Sequence, residues 1–266
     1  MKLTEIIDKE YQEVKEEQIV PPVKNKITPG VEMLLQTFER ELDYIEPHEN
    51  AGRRYEFSTL FDLTVQSLSG IYLRKISSEE ITEFAFLLPQ FQKRSSFHIA
   101  GYFLSGLLFR HKQDTKYSGT YQIPIDHFEK PLEFFGLFNN ANIHIIGSLG
   151  NYAFHSMSEG TVTIEGNTGK NLAVGMRGGS IDVYGNTGDF LGQNMSKGKV
   201  TIHGNVGRCV GTDIRGGTLE IKGNYQSLGP AINYLSPMRC HGTIIHQDKV
   251  IFHKGSWYQK IAGLFK

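Results

Sequence analysis

Gly160-Thr161-Val162-Thr163-Ile164-Glu165-Gly166-Asn167-Thr168-Gly169 returns 19 residues later as Gly179-Ser180-Ile181-Asp182-Val183-Tyr184-Gly185-Asn186-Thr187-Gly188, and again as Gly198-Lys199-Val200-Thr201-Ile202-His203-Gly204-Asn205-Val206-Gly207. Extended both ways, the register puts Gly147, Gly166, Gly185, Gly204 and Gly223 in one column, with Asn167, Asn186, Asn205 and Asn224 beside four of them. Gly150, Gly169, Gly188 and Gly207 make a third column, Gly160, Gly179, Gly198 and Gly217 a fourth, and Met157, Met176, Met195 and Ile214 a fifth. Self-similarity at a fixed period of this length is the signature of a solenoid.

Before each Gly-Asn corner the sequence alternates as a half-buried strand does: Ile143/Ile145, Val162/Ile164, Ile181/Val183, Val200/Ile202 and Leu219/Ile221 on one face, mostly polar residues on the other. Ala153, Leu172, Leu191 and Val210 form a second inward column and the methionines a third. A repeat this short buries its apolar residues only when stacked. At roughly 3.3 Å per residue a 19-residue coil has a perimeter of about 60 Å, and successive coils advance by about 4.8 Å. The chain from about Asn142 to Gly229 is therefore expected to be a right-handed parallel β-helix. Its corners should use glycine and asparagine where φ is positive, and the stacked asparagines should bond along the rod. There is no six-residue subperiod, no Gly-Gly-x-Gly-x-Asp calcium repeat and no run of several leucines per unit, so the hexapeptide, nonapeptide and leucine-rich solenoids fit less well.

Outside residues 141–229 the pattern changes. Residues 1–140 read as a mixed, partly helical region that caps the rod. Ile6, Ile7, Tyr11 and Val14 make a first helical stripe, stopped by Pro21-Pro22. Thr28-Pro29 caps a second helix whose apolar face is Val31, Leu34, Leu35, Phe38, Leu42 and Ile45. Ser77 and Glu80 form a capping box ahead of Ile81, Phe84, Ala85 and Leu88, ending near Pro89. Leu63-Thr64-Val65 reads as β-type, and Phe97-His98-Ile99-Ala100-Gly101 echoes Ile143 to Gly147 as a degenerate earlier coil. Residues 230–266 read as a hairpin, Ile244-Ile245 against Val250 to Phe252, followed by a capping tail with Trp257, Ile261, Leu264 and Phe265. These flanks should cover the open edges at the two ends, with Leu34, Leu35 and Phe38 closing one end or receiving a partner.

The chain has 266 residues, with 28 Lys+Arg balanced by 28 Asp+Glu spread along it, so no field for nucleic acid or an anionic membrane is implied. Cys209 and Cys240 lie far apart and fit free thiols in a reduced, cytoplasmic setting. No apolar stretch approaches the roughly 20 residues that cross a bilayer.

Gly166-Asn167-Thr168-Gly169, Gly175-Met176-Arg177-Gly178-Gly179-Ser180-Ile181, Gly185-Asn186-Thr187-Gly188 and Arg215-Gly216-Gly217-Thr218-Leu219 resemble the Gly-x-x-Gly-x-x-x-Gly (GXGXG) repeat domain. That domain is shared by the C-terminal part of the glutamate synthase large subunit and the C subunit of formylmethanofuran dehydrogenase. The stretch Gly242-Thr243-Ile244-Ile245-His246 to His253-Lys254-Gly255 is similar to the ending of that C subunit. The resemblance covers about a third of the chain and implies a right-handed β-helix that supports other domains or subunits, with the chemistry located elsewhere. The synthase's amidotransferase and flavin portions have no counterpart here.

Residue types that could carry chemistry have simpler readings. Gly166-Asn167-Thr168-Gly169-Lys170 lacks the spacing and the Lys-Ser/Thr ending of a phosphate loop, and the methionine column is core filler before it is a soft metal site. His241, His246 and His253 near Cys240 match no zinc spacing. Outward Glu165, Asp182, His203 and Glu220 come one per coil, whereas a sugar-cleaving β-helix enzyme needs a cluster at one level. Asp189 and Asp213 near corners are the nearest approach to a carboxylate pair, with solvated loops as the plainer reading. Nothing in the sequence activates Cys209. The expectation is a non-catalytic scaffold or subunit of a larger oxidoreductase-type complex. Its partners would be protein subunits or further copies of itself, with no catalytic residue, cofactor or metal of its own. A carbohydrate-active enzyme using an outer groove and a self-associating module are the alternatives.

Overall fold

The computed structural model describes residues 27–50, 56–229 and 241–253. The early stripe at Ile6 to Val14, the Pro21-Pro22 stop, Cys240 and the tail with Trp257, Ile261, Leu264 and Phe265 lie outside the described residues.

Eight strands form one sheet in chain order: β1 Thr120–Pro124, β2 Asn142–Ile146, β3 Thr161–Glu165, β4 Arg177–Val183, β5 Lys197–Ile202, β6 Thr218–Ile221, β7 Thr243–His246 and β8 Lys249–His253. β1 to β7 pair in parallel and β8 returns antiparallel on β7. The register is the one that the 19-residue period demands: Ile143 lies beside Val162, Val162 beside Ile181, Ile181 beside Val200, Val200 beside Leu219. The chain is thus a parallel β-solenoid with a helical N-terminal region. A second ladder of single bridges, Leu132, Leu149, Thr168, Thr187, Val206 and Tyr225, stacks the residue just past each corner. All three inward columns are fully buried, the methionines included.

The corner glycines do a different job from the expected one. Gly147 alone in its column has positive φ, at +120°; Gly166, Gly185, Gly204 and Gly223 do not, and neither do the asparagines beside them. A Cβ at any of these last four glycines would collide with the carbonyl of the glycine one coil earlier, so what the stacked corners require is close backbone approach. Each Asn contributes its side-chain oxygen. Asn167 Oδ1 accepts the Asn186 N–H at 2.8 Å, and Asn205 Oδ1 accepts the Asn224 N–H at 2.9 Å. The one bond between two side-chain amides runs from Asn186 Nδ2 to Asn167 Oδ1 at 3.3 Å. Positive φ falls in the Gly160/Gly179/Gly198/Gly217 column, where a Cβ at Gly179, Gly198 or Gly217 would strike the methyl of Met157, Met176 or Met195. The glycine and methionine columns therefore share one volume.

Left-handed conformations also recur on the arc after each second-ladder bridge, at Tyr152, Asn171, Phe190 and Cys209, and again at Phe154, Ala173, Gly192 and Gly211. Along it the direction of the inter-coil bond alternates: Asn171 donates forward to Asp189 O at 2.9 Å and Ala173 backward to Ala153 O at 3.0 Å. The arc turns without losing its hydrogen bonds.

Among the described residues four α-helices cover the N-terminal end: α1 Pro29–Asn50, α2 Phe57–Ser67, α3 Ser78–Leu87 and α4 Ile99–Thr115. Thr28 accepts the Val31 N–H and gives its own hydroxyl to Glu80, while Ser77 and Glu80 close the expected capping box. α3 packs along β1, where Thr82 Oγ1 donates to the Gln122 carbonyl at 2.8 Å, so the first sheet edge is covered. Leu34, Leu35 and Phe38 are buried inside this helical layer, with Phe38 edge-on to Phe84, Phe91 and Phe103. They are not open to a partner.

Two expectations fail here. Leu63-Thr64-Val65 lies in α2, because Leu60, Phe61, Thr64 and Leu68 recur at helical spacing and that buried face outweighs the local β preference. Phe97 to Gly101 is not an earlier coil but leads into α4, whose residues Ile99 to Leu108 are all buried. Its glycines serve helix packing: a Cβ on Gly101 would overlap the Glu133 carbonyl, and one on Gly106 would press on Thr64. Ser105, between them, accepts the N–H groups of Gly136 and Leu137 and so caps the first coil from the helix.

At the other end β7 continues the parallel ladder, Leu219 beside Ile244, and the hairpin forms as read, with Ile244 opposite Phe252 and Ile245 opposite Val250. Gln247 and Asp248 both take positive φ, the two-residue turn that matches strand twist. Among the described residues no helix is long and apolar enough to cross a membrane.

Candidate functional site

The outward face of the β2–β7 sheet is the surface on which the sequence placed its polar candidates. Because strand register is fixed, each outward residue sits about one strand spacing, roughly 4.8 Å, from its equivalents on the neighbouring coils. At that spacing polar partners on successive coils meet. His144 is held between Gln122 Oε1 and Glu165 Oε1, each at 2.8 Å. His203 stands 3.8 Å from Asp182. Glu220 takes Lys199 at 2.7 Å and also contacts Lys222, which reaches Asp248 at 2.7 Å. Lys199 first, then Lys222, holds the Glu220 carboxyl below the usual range. Asp248 and Glu220 together raise the Lys222 ammonium to about 12. The four outward residues therefore form short inter-coil pairs distributed along the rod.

Asp189 and Asp213 do not act together. Asp189 accepts the Arg208 N–H at 2.8 Å and pairs with Lys170 at 3.2 Å, and these partners depress its pKa. Asp213 is one of the left-handed arc positions and belongs to another column. Cys209 is a half-buried free thiol in the left-handed arc, its N–H bonded to Ser227 Oγ at 3.1 Å. His246 bonds the Gly223 carbonyl at 3.0 Å and His253 the Thr243 hydroxyl at 2.8 Å. Among the described residues no group of three or more His, Cys, Asp or Glu is placed to hold a metal ion.

One shallow groove lies on this face, between Glu165 and Tyr184 over the side-chain-free corners Gly166 and Gly185, with Asn167 at its rim. Tyr184 is 59% exposed and stacks on His203 with ring centroids 4.5 Å apart and an interplanar angle of 3°. One ring face is thereby covered by His203, and the Tyr184 side chain lines the groove.

The sequence reading missed Glu41. It sits on α1 three residues after Phe38, on the edge of the apolar stripe, and that interruption of the stripe is the signal that could have found it. Its side chain is only 7% exposed and is gripped by Thr64 Oγ1 at 2.6 Å and Ser67 Oγ at 2.8 Å. Burial pushes its carboxyl above the ordinary carboxylate range, against the effect of those two hydroxyls. Compared with protein-family models, with curated proteins and with solved structures, the chain matches none.

Proposed function

We propose that this chain is a non-catalytic scaffold subunit of the GXGXG-repeat kind, lending its solenoid faces to partner subunits of an oxidoreductase-type complex. One observation carries the reading: the outward carboxylates are each held by a side chain of a neighbouring coil, Glu165 by His144, Asp182 by His203 and Glu220 by Lys199, leaving a regular face of paired groups instead of a focused polar centre. Such a face suits an extended protein contact, in which polar groups must already be satisfied before they are desolvated. The resemblance to the repeat domains of glutamate synthase and formylmethanofuran dehydrogenase supports the same reading. The test is purification of the tagged chain at native expression level. A stable stoichiometric complex with other subunits is expected. A chain that elutes alone as a monomer and itself turns over a substrate overturns the proposal.

The groove under Tyr184 favours one second reading, a carbohydrate-recognition face: a flat ring for sugar C–H groups, with Glu165 and Asn167 for hydroxyls. Titration with a panel of soluble polysaccharides separates the two. Binding abolished by Tyr184→Ala favours the second reading, and no binding across the panel ends it.

A further inference from the structure

Away from the solenoid, α1 and α2 line an open cleft of about 330 Å³, with Glu41, Arg40, Tyr44, Leu63 and Ser67 in its wall. Its polar groups are arranged unusually for a helix–helix contact. The Thr64 hydroxyl has one hydrogen and two acceptor neighbours, the Leu60 carbonyl at 3.1 Å and Glu41 Oε1. The Ser67 hydroxyl likewise faces the Thr64 carbonyl at 2.9 Å and Glu41 Oε2. Two hydrogens thus serve four oxygen contacts. The Thr64 carbonyl already accepts the Leu68 N–H, so the hydroxyls can donate to Glu41, whose two oxygens keep further acceptor capacity. The group is a buried acid with no Lys, Arg or His within ion-pair distance among the described residues, and it opens onto a cleft large enough for a small molecule.

The preceding residue provides the opposite sign. Arg40 is exposed and folds back along α1, giving Nε to the Gln36 carbonyl at 3.2 Å and Nη2 to Thr37 Oγ1 at 3.1 Å. Its remaining N–H donors have no carboxylate among the described residues. Arg40 is the other charged side chain of the cleft wall, and Leu63 with the 56%-exposed ring of Tyr44 supplies the apolar part.

We infer that this cleft binds a small zwitterion of the α-amino acid class, its ammonium on Glu41 and its carboxylate on the Arg40 guanidinium, with the side chain against Leu63 and Tyr44. On binding, the Glu41 carboxylate pairs with the incoming ammonium. This inference stands apart from the scaffold reading, since it uses none of the solenoid surface.

The experiment is calorimetric titration of the full chain with each of the common free L-amino acids, and with butylamine and butyrate as single-charge probes. At least one amino acid is expected to bind saturably, at least about tenfold more tightly than either single-charge probe. Glu41→Gln and Arg40→Gln should each weaken it roughly 10- to 100-fold, the range for a charged hydrogen bond. Arg40 is exposed, so its variant keeps the test open if Glu41→Gln does not fold. No saturable binding of any amino acid up to about 10 mM, or binding undiminished in Arg40→Gln, would overturn the inference.

Discussion

The side-chain oxygen of Asn186 accepts the backbone N–H of Asn205 at 2.8 Å, one coil further along the rod. The same bond joins Asn167 to Asn186 and Asn205 to Asn224, so each asparagine takes the place of a backbone acceptor at a corner where the strand ladder is interrupted. Asn186→Ala leaves the Asn205 N–H to water at an exposed site. A loss of about 0.5–1.5 kcal/mol is expected, read from urea denaturation as a lower midpoint with an unchanged slope.

Crowding and conformation make separable demands on glycine. A Cβ at Gly185 meets the backbone of Gly166, which belongs to the paired ladder and cannot move aside, whereas a Cβ at Gly175 finds only Ser156 Oγ at 3.5 Å. The strain at Gly175 is conformational, φ +63°, close to the +59° that Ala173 already adopts two residues earlier. Gly175→Ala should therefore cost about 1–2 kcal/mol, and Gly185→Ala clearly more, up to loss of the cooperative transition. Equal costs in thermal denaturation would refute the distinction.

Leu191 and Met195 are both fully buried, yet their replacements should differ. Leu191→Ala leaves a void between coils that are pinned by hydrogen bonds on both sides, with an expected cost of about 2–5 kcal/mol. Met195→Leu conserves volume and should cost less than about 1.5 kcal/mol. The reverse ranking in denaturant midpoints would contradict the assignment of both columns to one packed interior.

His111 is 2% exposed; its Nε2 lies 2.8 Å from the Ile76 carbonyl and its Nδ1 2.8 Å from the Tyr121 hydroxyl. A carbonyl only accepts, so Nε2 carries the hydrogen and Nδ1 accepts from Tyr121. Burial is the main cause that lowers its pKa below the usual 6.5. His155, also lowered by burial, acts in the same direction. The unfolded chain takes up these protons near pH 6.5 and the folded chain resists them, so stability should fall as pH drops below about 6.5. In His111→Gln the fall between pH 7.5 and 5.5 should be smaller, by comparison of denaturation midpoints at the two values. An equal fall would place a charged imidazole in the native state.

Glu41 carries the opposite sign. Its pKa is raised, so the proton it keeps in the fold stabilises the native state at low pH, and that contribution is lost as pH rises through the folded value. Glu41→Gln should flatten the upper side of the stability profile, provided the variant folds. If the profile is unchanged, the buried group is already ionised.

The repeat was legible because every coil repeats the same local problem. Ile181, Val200 and Leu219 recur in register, and the structure stacks them as that register requires. The reason given for Gly185 was wrong even though its place was right: a column shows that something small is needed, and only the neighbouring coil shows that a carbonyl occupies the space. In the helical region no repeat averages out accident. The β-branched residues of α2 and the glycines of α4 looked like strand and corner until their neighbours were in place. Glu41 escaped for the same reason, since a single carboxylate on an apolar stripe acquires meaning only when Thr64 and Ser67 arrive from another helix.

By itself the sequence determined the period, the strand register, the three inward columns and the terminal hairpin, because each follows from interactions between residues at a fixed separation along the chain. Tertiary structure alone decided that the corners crowd backbone on backbone, that outward side chains pair between coils, that α3 covers the first edge and that Thr64 and Ser67 of α2 meet Glu41 of α1. The first two depend on which atoms of the neighbouring coil come close, the last two join segments with no fixed separation in sequence, and the energies of burial and pairing that govern them exist only once the segments have met.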